Sequence, residues 1–383
     1  MTTIVVAPTS VAMFPEGGGH FWVFLQWIRG LQRNGCDVYW LECLEPKYER
    51  QPDTLAVRTF LQNLDRVDLR DRALVYQERS DGSIEYVNID DARGWAILDR
   101  ADLLLNFKYD ISTEILGRVR RSALIDIDPG LLQFWLSHDQ LTMSPHDVYF
   151  TTGEHVDGQS PDGRKPEGTM IPWHQIRPVV DTASWQFDDG PRRETFTTVT
   201  NWFGEWLTDG AGWLLDNSKR VEFLAMADLP QRTTQPLELA VCLGDNPDDV
   251  ADRSLMQRNG WLIRHSFEVS RDPFLYQEYI RSSRGEFSCV KPSCLMFRKA
   301  WISDRTLCYL ASGRPAIIQH TGPSDYLPDA DGLFRFVTID VAVEALADVN
   351  RYYDRHCRSA RNLAETYFDA ADVSSRVLET ALP

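Results

Sequence analysis

The chain has 383 residues, of which 43% are hydrophobic and 25% charged, ordinary globular material for two domains or one large one. Its formal net charge is −16, from 56 acidic and 40 basic residues, and a surface that acidic repels phosphate backbones and anionic lipid. Nucleic acid and membrane surfaces are therefore not expected partners, although a local basic patch can still hold one small anion.

Seven cysteines are an odd number, and no two form a C-x-x-C pair, so buried free thiols in a reducing compartment are expected. No apolar run approaches the roughly 20 residues that span a bilayer. The first residues enter a strand with no basic-then-apolar leader. A cytoplasmic protein, monomer or homodimer, is the expectation.

In chain order, an apolar β-branched run opening at Thr3 ends in the turn Pro15-Glu-Gly-Gly-Gly19. A long amphipathic segment, Phe21 to Asn34, follows, then Gly35 and a second apolar run, Cys36 to Leu44. This reads as strand, glycine turn, helix with a C′ glycine, and parallel strand. The glycines, Gly18 and Gly19 among them, let the backbone come close to a ligand, and the helix start points free N–H groups into that turn. His20 sits at this helix start, beyond the carboxyl end of the strand, where open α/β sheets bind ligands.

Asp53 to Val67 reads as a helix with an Asp cap, and Ala73–Gln77 and Ser83–Val87 as a hairpin around Asp81-Gly82. Asp90 to Ala101 is helical, Asp102 to Phe107 a buried strand, and Ser112 caps a helix running to about Arg121. Ala123 to Asp128 and Val148 to Thr152 are strands, the second ending at Gly153-Glu154. Residues 155–193, rich in Pro, Gly, Asp and Arg, form the expected linker. A second α/β series begins at Thr195 to Trp202. It continues through helices at 219–227, 248–258, 273–281 and 303–312, and strands at 237–243, 261–266, 286–290, 315–320 and 334–337. Two long helices, 342–353 and 356–378, finish the chain.

The most specific chemical signal is Ser303-Asp304-Arg305, opening an apolar helix that closes at Leu310-Ala-Ser-Gly-Arg-Pro315. Ser303 is a good N-cap, so the amides of 304 to 306 can receive a diphosphate, and Arg305 adds a fork that matches phosphate oxygens. The alternative is a capped helix whose Arg pairs with a nearby carboxylate. Lys291, after a strand, is a further phosphate cation or a solvated loop lysine.

Gly313-Arg-Pro, then Ile317-Ile-Gln-His-Thr-Gly322, Leu327-Pro and Gly332-Leu-Phe-Arg-Phe336, resembles the C-terminal half of GT-B-fold glycosyltransferases. The glycine turn ending in Gly19-His20, with Asn34-Gly35 and Val38-Tyr-Trp-Leu-Glu42, resembles their opening. The Asn-Pro usual after Gly-His is replaced by Phe21-Trp22, and both the His-Cys-Gly-x-Asn-Ser signature and the Glu-x(7)-Glu arrangement are missing. The resemblance implies an α/β protein of two doubly wound Rossmann-like domains facing across a cleft. Residues 1–188 would bind acceptor, residues 189–361 the nucleotide sugar, and residues 362–383 would cross back as a helix.

The resemblance also implies a hexosyl transfer from a nucleoside diphosphate sugar, UDP- or TDP-linked, to a small or medium acceptor. It would invert, with no metal and no tightly bound cofactor. His20 Nε2 would be the general base, its other nitrogen oriented by a carboxylate, Asp128 or Asp126. Gly18, Gly19, Asn201, Trp202, Glu286, Lys291, Ser303, Asp304, Arg305, Thr321 and Gly322 would contact the donor, and Asp126, Trp135 and Glu154 the acceptor. The Asp126-Ile-Asp128 pair also has the spacing of a manganese site. The alternatives are a sugar-nucleotide 2-epimerase of the same architecture and a nucleotide-sugar-binding protein without turnover.

Overall fold

β1 (Thr3–Ala7) is buried along its whole length and lies inside an eight-stranded sheet. A computed structural model describes residues 1–44, 54–79, 81–156, 171–187, 193–329 and 331–382. From β1 the chain passes through α1 (Gly18–Arg33) to β2 (Asp37–Leu44), which pairs parallel to β1. Next come α2 (Leu55–Asp65), β3 (Ala73–Glu78), β4 (Ile84–Tyr86), α3 (Asp91–Arg100), β5 (Leu103–Asn106) and α4 (Thr113–Leu116). β6 (Ser122–Asp126), α5 (Leu131–Ser137), β7 (Val148–Thr151) and β8 (Trp173–Gln175) complete this part. The strand order is β4-β3-β2-β1-β5-β6-β7-β8, parallel except at the β3–β4 hairpin.

The second series is β9 (Phe196–Thr200), β10 (Trp206–Thr208), β11 (Leu214–Asp216), α6 (Lys219–Ala225), β12 (Leu237–Val241), α7 (Pro247–Arg258) and β13 (Leu262–His265). It continues with α8 (Phe267–Ser270), α9 (Pro273–Ser282), β14 (Gly285–Ser288), α10 (Pro292–Phe297), α11 (Asp304–Ala311), β15 (Ala316–Gln319) and β16 (Leu333–Phe336). Six of its strands form an all-parallel sheet, β13-β12-β9-β14-β15-β16, while β10 and β11 pair as a separate antiparallel hairpin. Parallel strands read as continuous apolar runs because helices cover both faces. β12 and β14 are accordingly buried throughout. In each sheet the order reverses beside the first strand, at β1/β5 and at β9/β14, and such switch points leave a crevice beyond the strand ends.

The chain ends with α12 (Ile339–Arg351), α13 (Tyr353–Tyr367) and α14 (Ala370–Ala381). One continuous terminal helix was the expectation for 356–378. Instead it breaks at Phe368-Asp369, where the Asp369 side chain accepts from the Ala371 amide, from Thr182 and from Arg33. That cap redirects the chain: Val180 and Asp369 form a parallel bridge, and α14 packs on α1.

Other differences have local causes. Thr54 caps α2 by accepting from Val57 N, and Asp53 lies outside the described residues. The helix capped by Ser112 stops at Leu116, closed by Gly117. The 155–193 stretch, read as linker, supplies β8, whose three residues pair in parallel with Tyr149, Phe150 and Thr151 of β7. α5, α8, α10 and the β10–β11 hairpin are too short for periodicity to reveal.

α1 and α14 approach through Gly30. Alanine is ordinarily favoured over mid-helix glycine by about 1 kcal/mol. Here an added Cβ would lie 2.3 Å from the Ala370 carbonyl oxygen. Overpacking costs about 1–3 kcal/mol, and a backbone atom cannot swing aside, so the clash wins. Gly30→Ala is expected to lower the thermal midpoint by about 2–4 °C; a raised midpoint would mean that α14 yields.

Candidate functional site

A cleft of about 650 Å³ opens where the two switch points face each other. One wall is the turn after β1 and the start of α1, with His20; the other is the end of β9 with the starts of α6 and α11. Gly18 and Gly19 do allow a close approach, but to protein. A Cβ on Gly18 would lie 2.6 Å from the Ser270 carbonyl oxygen, and one on Gly19 would lie 2.8 Å from the Tyr276 ring. Trp22 Nε1 donates to the Pro273 carbonyl at 2.7 Å beside them, so the base of α1 is fastened to α8 and α9.

His20 stands edge-on to Phe24, with ring centroids 5.2 Å apart, and its Nε2 lies 2.6 Å from the Thr9 carbonyl oxygen. A carbonyl only accepts, so Nε2 carries the ring proton and the lone pair is on Nδ1. The free lone pair expected on Nε2 is therefore on Nδ1, and the Thr9 carbonyl stands beside the ring where a carboxylate was expected. Burial holds the imidazole below its ordinary 6.5, partly offset by Thr9 and by the charge of Asp128. Near pH 7 it is neutral.

On the facing wall Ser303 Oγ accepts from the Arg305 amide at 3.3 Å, the expected cap of α11. Of the two readings of Arg305, the carboxylate partner is present. Its Nε donates to Glu286 Oε1 at 2.7 Å, Nη1 to the Val199 carbonyl at 3.0 Å and Nη2 to Ser288 Oγ at 2.6 Å. Arg305 still edges the cleft, whereas Glu286 is fully buried behind it and has no surface to offer a sugar. Asp304 faces the cleft, and burial together with the Asp128 charge pushes its carboxyl up to about 7.

Lys219, at the start of α6, is the residue that sequence reasoning missed. It lines the cleft, and burial, then Arg305 and Lys291, push its ammonium down to about 7. The signal lay in Asn217-Ser218-Lys219-Arg220, a polar and basic quartet opening a helix straight after a turn. Arg220 pairs with Asp252, which leaves Lys219 as the residue directed to the cleft. Lys291 itself is the cap residue of α10 and acts on Lys219 through its charge.

No family model and no curated protein matches the chain. Solved structures do. One is an alpha-glucosyltransferase in complex with UDP-glucose and DNA containing an abasic site, 11% identical over 100% of this chain and 99% of that chain, with a TM-score of 0.60. Another is Anabaena Alr3699/HepE in complex with UDP and glucose, 12% identical, covering 99% of each chain, with a TM-score of 0.57. A third is sucrose-phosphate synthase from Thermosynechococcus elongatus, 11% identical over 99% of this chain and 98% of that chain, TM-score 0.52.

The chain has the GT-B fold. Within the GT-B frame the expected site residues divide. His20, Asn201, Ser303, Asp304 and Arg305 share the cleft. Trp202 does not: it is buried on Phe223, and its Nε1 donates to Asp252 Oδ2 at 2.8 Å. Thr321 and Gly322 hold the segment before α11, Thr321 Oγ1 donating to the Trp301 carbonyl at 2.6 Å and Gly322 packing on the Arg298 backbone.

The acceptor residues also disperse. Asp126 is fully buried and accepts from Gln133, Thr151 and the Asp128 amide, an interior loop organiser pushed up to about 6 by burial. β6 stops at Asp126, so the alternation that would put Asp128 on the same face ends there. Trp135 packs in a cluster with Phe134, Trp213 and Phe297. Glu154 lies in a different pocket, accepting from Ser324 Oγ at 2.5 Å and the Asp325 amide at 2.6 Å. Among the described residues only Glu154, His155 and Asp325 bring ligand atoms within 4.8 Å of one another, so the Asp126-x-Asp128 spacing makes no such group.

The Arg305–Glu286 pair has a measurable consequence. Removing one partner of a buried pair costs about 3–5 kcal/mol, whereas a packed apolar replacement of both is often neutral. Arg305→Ala is expected to lose stability on that scale in urea denaturation, and Arg305→Leu with Glu286→Leu to recover most of it. A loss below about 1 kcal/mol would refute the pair as a structural element.

Proposed function

We propose that the protein is a glycosyltransferase that moves a hexose from a UDP-sugar to a small or medium acceptor, with inversion. The observation that carries this reading is the GT-B cleft itself, which sets a neutral histidine opposite a helix N-terminus and Lys219. Complexes of two similar structures contain UDP or UDP-glucose, which favours uridine over thymidine for the donor. Residues 1–188 then form the acceptor domain, 189–361 the donor domain, and 362–383 the returning segment, whose helix α14 packs on α1.

In this mechanism the diphosphate lies against the Ser303 cap and the amides of α11, with Lys219 and Lys291 beside it. Asn201 borders the donor, and Arg305 holds α11 in place while presenting its edge. The acceptor hydroxyl gives its proton to His20 Nδ1 as its oxygen bonds to the anomeric carbon. The bond from that carbon to the diphosphate breaks, and UDP leaves with the electron pair, its charge met by the lysines. Asp128 stabilises the imidazolium that results. No tightly bound cofactor and no metal enter this scheme. One relative is complexed with DNA, but a net charge of −16 disfavours a DNA acceptor here.

The 2-epimerase reading has one observation in its favour. Burial, and after it the charge of Asp128, holds Asp304 partly protonated near pH 7, so a carboxyl that can give or take a proton faces the same cleft as His20. An assay of UDP release separates the two: a transferase releases UDP in proportion to acceptor, whereas an epimerase interconverts sugar nucleotides without acceptor.

Two pH measurements test the assignments. The base form of His20 exists above its lowered pKa, so the acid limb of kcat/KM is expected below pH 6.5, apart from any change the Lys219 and Asp304 titrations cause at higher pH. His20→Ala should lose about 10²–10⁴-fold in kcat with UDP affinity unchanged. An acid limb above pH 7, or an active variant, would remove His20 as base. Lys219 is mostly neutral above its value of about 7, and a bound diphosphate stabilises the ammonium. UDP binding at pH 8 should therefore take up protons, seen by calorimetry in buffers of different ionisation enthalpy. Lys219→Met should abolish most of that uptake; identical heats for both proteins would contradict the role.

A further inference from the structure

A second pocket of about 500 Å³ lies outside the cleft, beyond the carboxyl ends of β7 and β8 and against α14. Its carboxylates are already engaged. Glu154 accepts from Ser324 and the Asp325 amide, and Asp325 lies 3.3 Å from His155 Nε2. Its guanidiniums are not: among the described residues nothing accepts a hydrogen bond from Arg177 or Arg376, and both line the pocket. Arg177 lies over the Tyr326 ring at 4.5 Å and the Tyr367 ring at 5.1 Å. Stacking fixes the plane of the fork while leaving its N–H edge open.

We propose that this pocket binds a phosphate monoester of a small molecule, at a site separate from the donor cleft. Two guanidinium forks suit a dianionic phosphate, each giving paired charge-assisted bonds. His174 and Gln175 add polar groups on the same wall, and Phe150 and Val373 supply an apolar one for the body of the ester. The volume exceeds what a bare ion needs and falls within the range of small-molecule sites. Glu154 and Asp325 also line the pocket, but each is engaged by the protein's own donors, so the two guanidiniums are the groups available to an anion among the described residues. The proposal does not depend on the transferase reading, since none of these residues lines the cleft.

The test is calorimetric titration of inorganic phosphate and of glucose 6-phosphate into the full-length protein, with and without saturating UDP. Binding that persists in UDP is expected, with the ester tighter than phosphate. It should weaken about tenfold or more in Arg376→Gln, an exposed position that does not endanger folding, and in Arg177→Lys, which keeps the charge but loses the fork. UDP affinity should be unchanged in both variants. Three results would overturn the proposal: no heat with either probe, binding that UDP displaces, or binding indifferent to both substitutions. Heat from Zn²⁺ alone, lost in His155→Ala, would make the pocket a cation site and equally refute it. If UDP itself does not bind, the titrations without UDP still decide this question, while the donor reading falls.

Discussion

The buried pair of Arg305 and Glu286 is the contact on which the cleft depends. It ties the first turn of α11 to β14 through Glu286 and Ser288, and to β9 through the Val199 carbonyl. Tyr309, one turn later, shares a hydrogen bond of 2.7 Å with Thr197 of β9. The amides at the start of α11 are thus held at the switch point of the second sheet. Ion pairs taken out of water seldom add net stability, because desolvation consumes most of the attraction. What this pair contributes is position: a helix N-terminus attracts an anion only over its first turn.

The other wall is held just as firmly, from outside its own sheet. α1 begins against α8 and α9 through Gly18, Gly19 and Trp22, and ends against α14 through Gly30 and Asn34. Further along the seam, the segment before α11 gives Trp301 Nε1 to the Ile127 carbonyl, and Glu154 N donates to the Lys299 carbonyl. His20 is therefore located by contacts from both halves of the chain. The two sheets meet in one arrangement across the cleft, and the glycines near His20 serve that docking.

Much of the architecture was legible because parallel strands and their covering helices carry strong patterns. β1, β2 and α1 announce themselves by β-branched runs, 3.6-residue periodicity and Gly35. Short elements escaped for the opposite reason: three or four residues of β8, β10 or α8 carry no period. In the site, residue type and place in the chain identified His20, Ser303 and Asp304, which sit at element starts facing the switch points. They could not show direction. Asp126, Glu286, Trp202 and Thr321 do not line the cleft, each claimed by an interior partner that only the folded chain brings near. Lys219 went unnoticed because a lysine at a helix start resembles any solvated one until Arg305 and Lys291 arrive beside it.

Those neighbours also explain how the cleft accommodates several ionisable groups. Burying a charge is costly, and a group relieves the cost by shifting its pKa toward the neutral form. Lys219 falls and Asp304 rises, each to about 7, so neither must carry full charge when no ligand is bound. A polyanion placed against them would favour the protonated form of both, since it attracts the Lys219 ammonium and repels an Asp304 carboxylate. Arg305 cannot take part in that exchange because a guanidinium does not deprotonate, and its fixed charge is balanced permanently by Glu286. The cleft thus separates a fixed ion pair that holds its geometry from titratable groups that respond to what it binds.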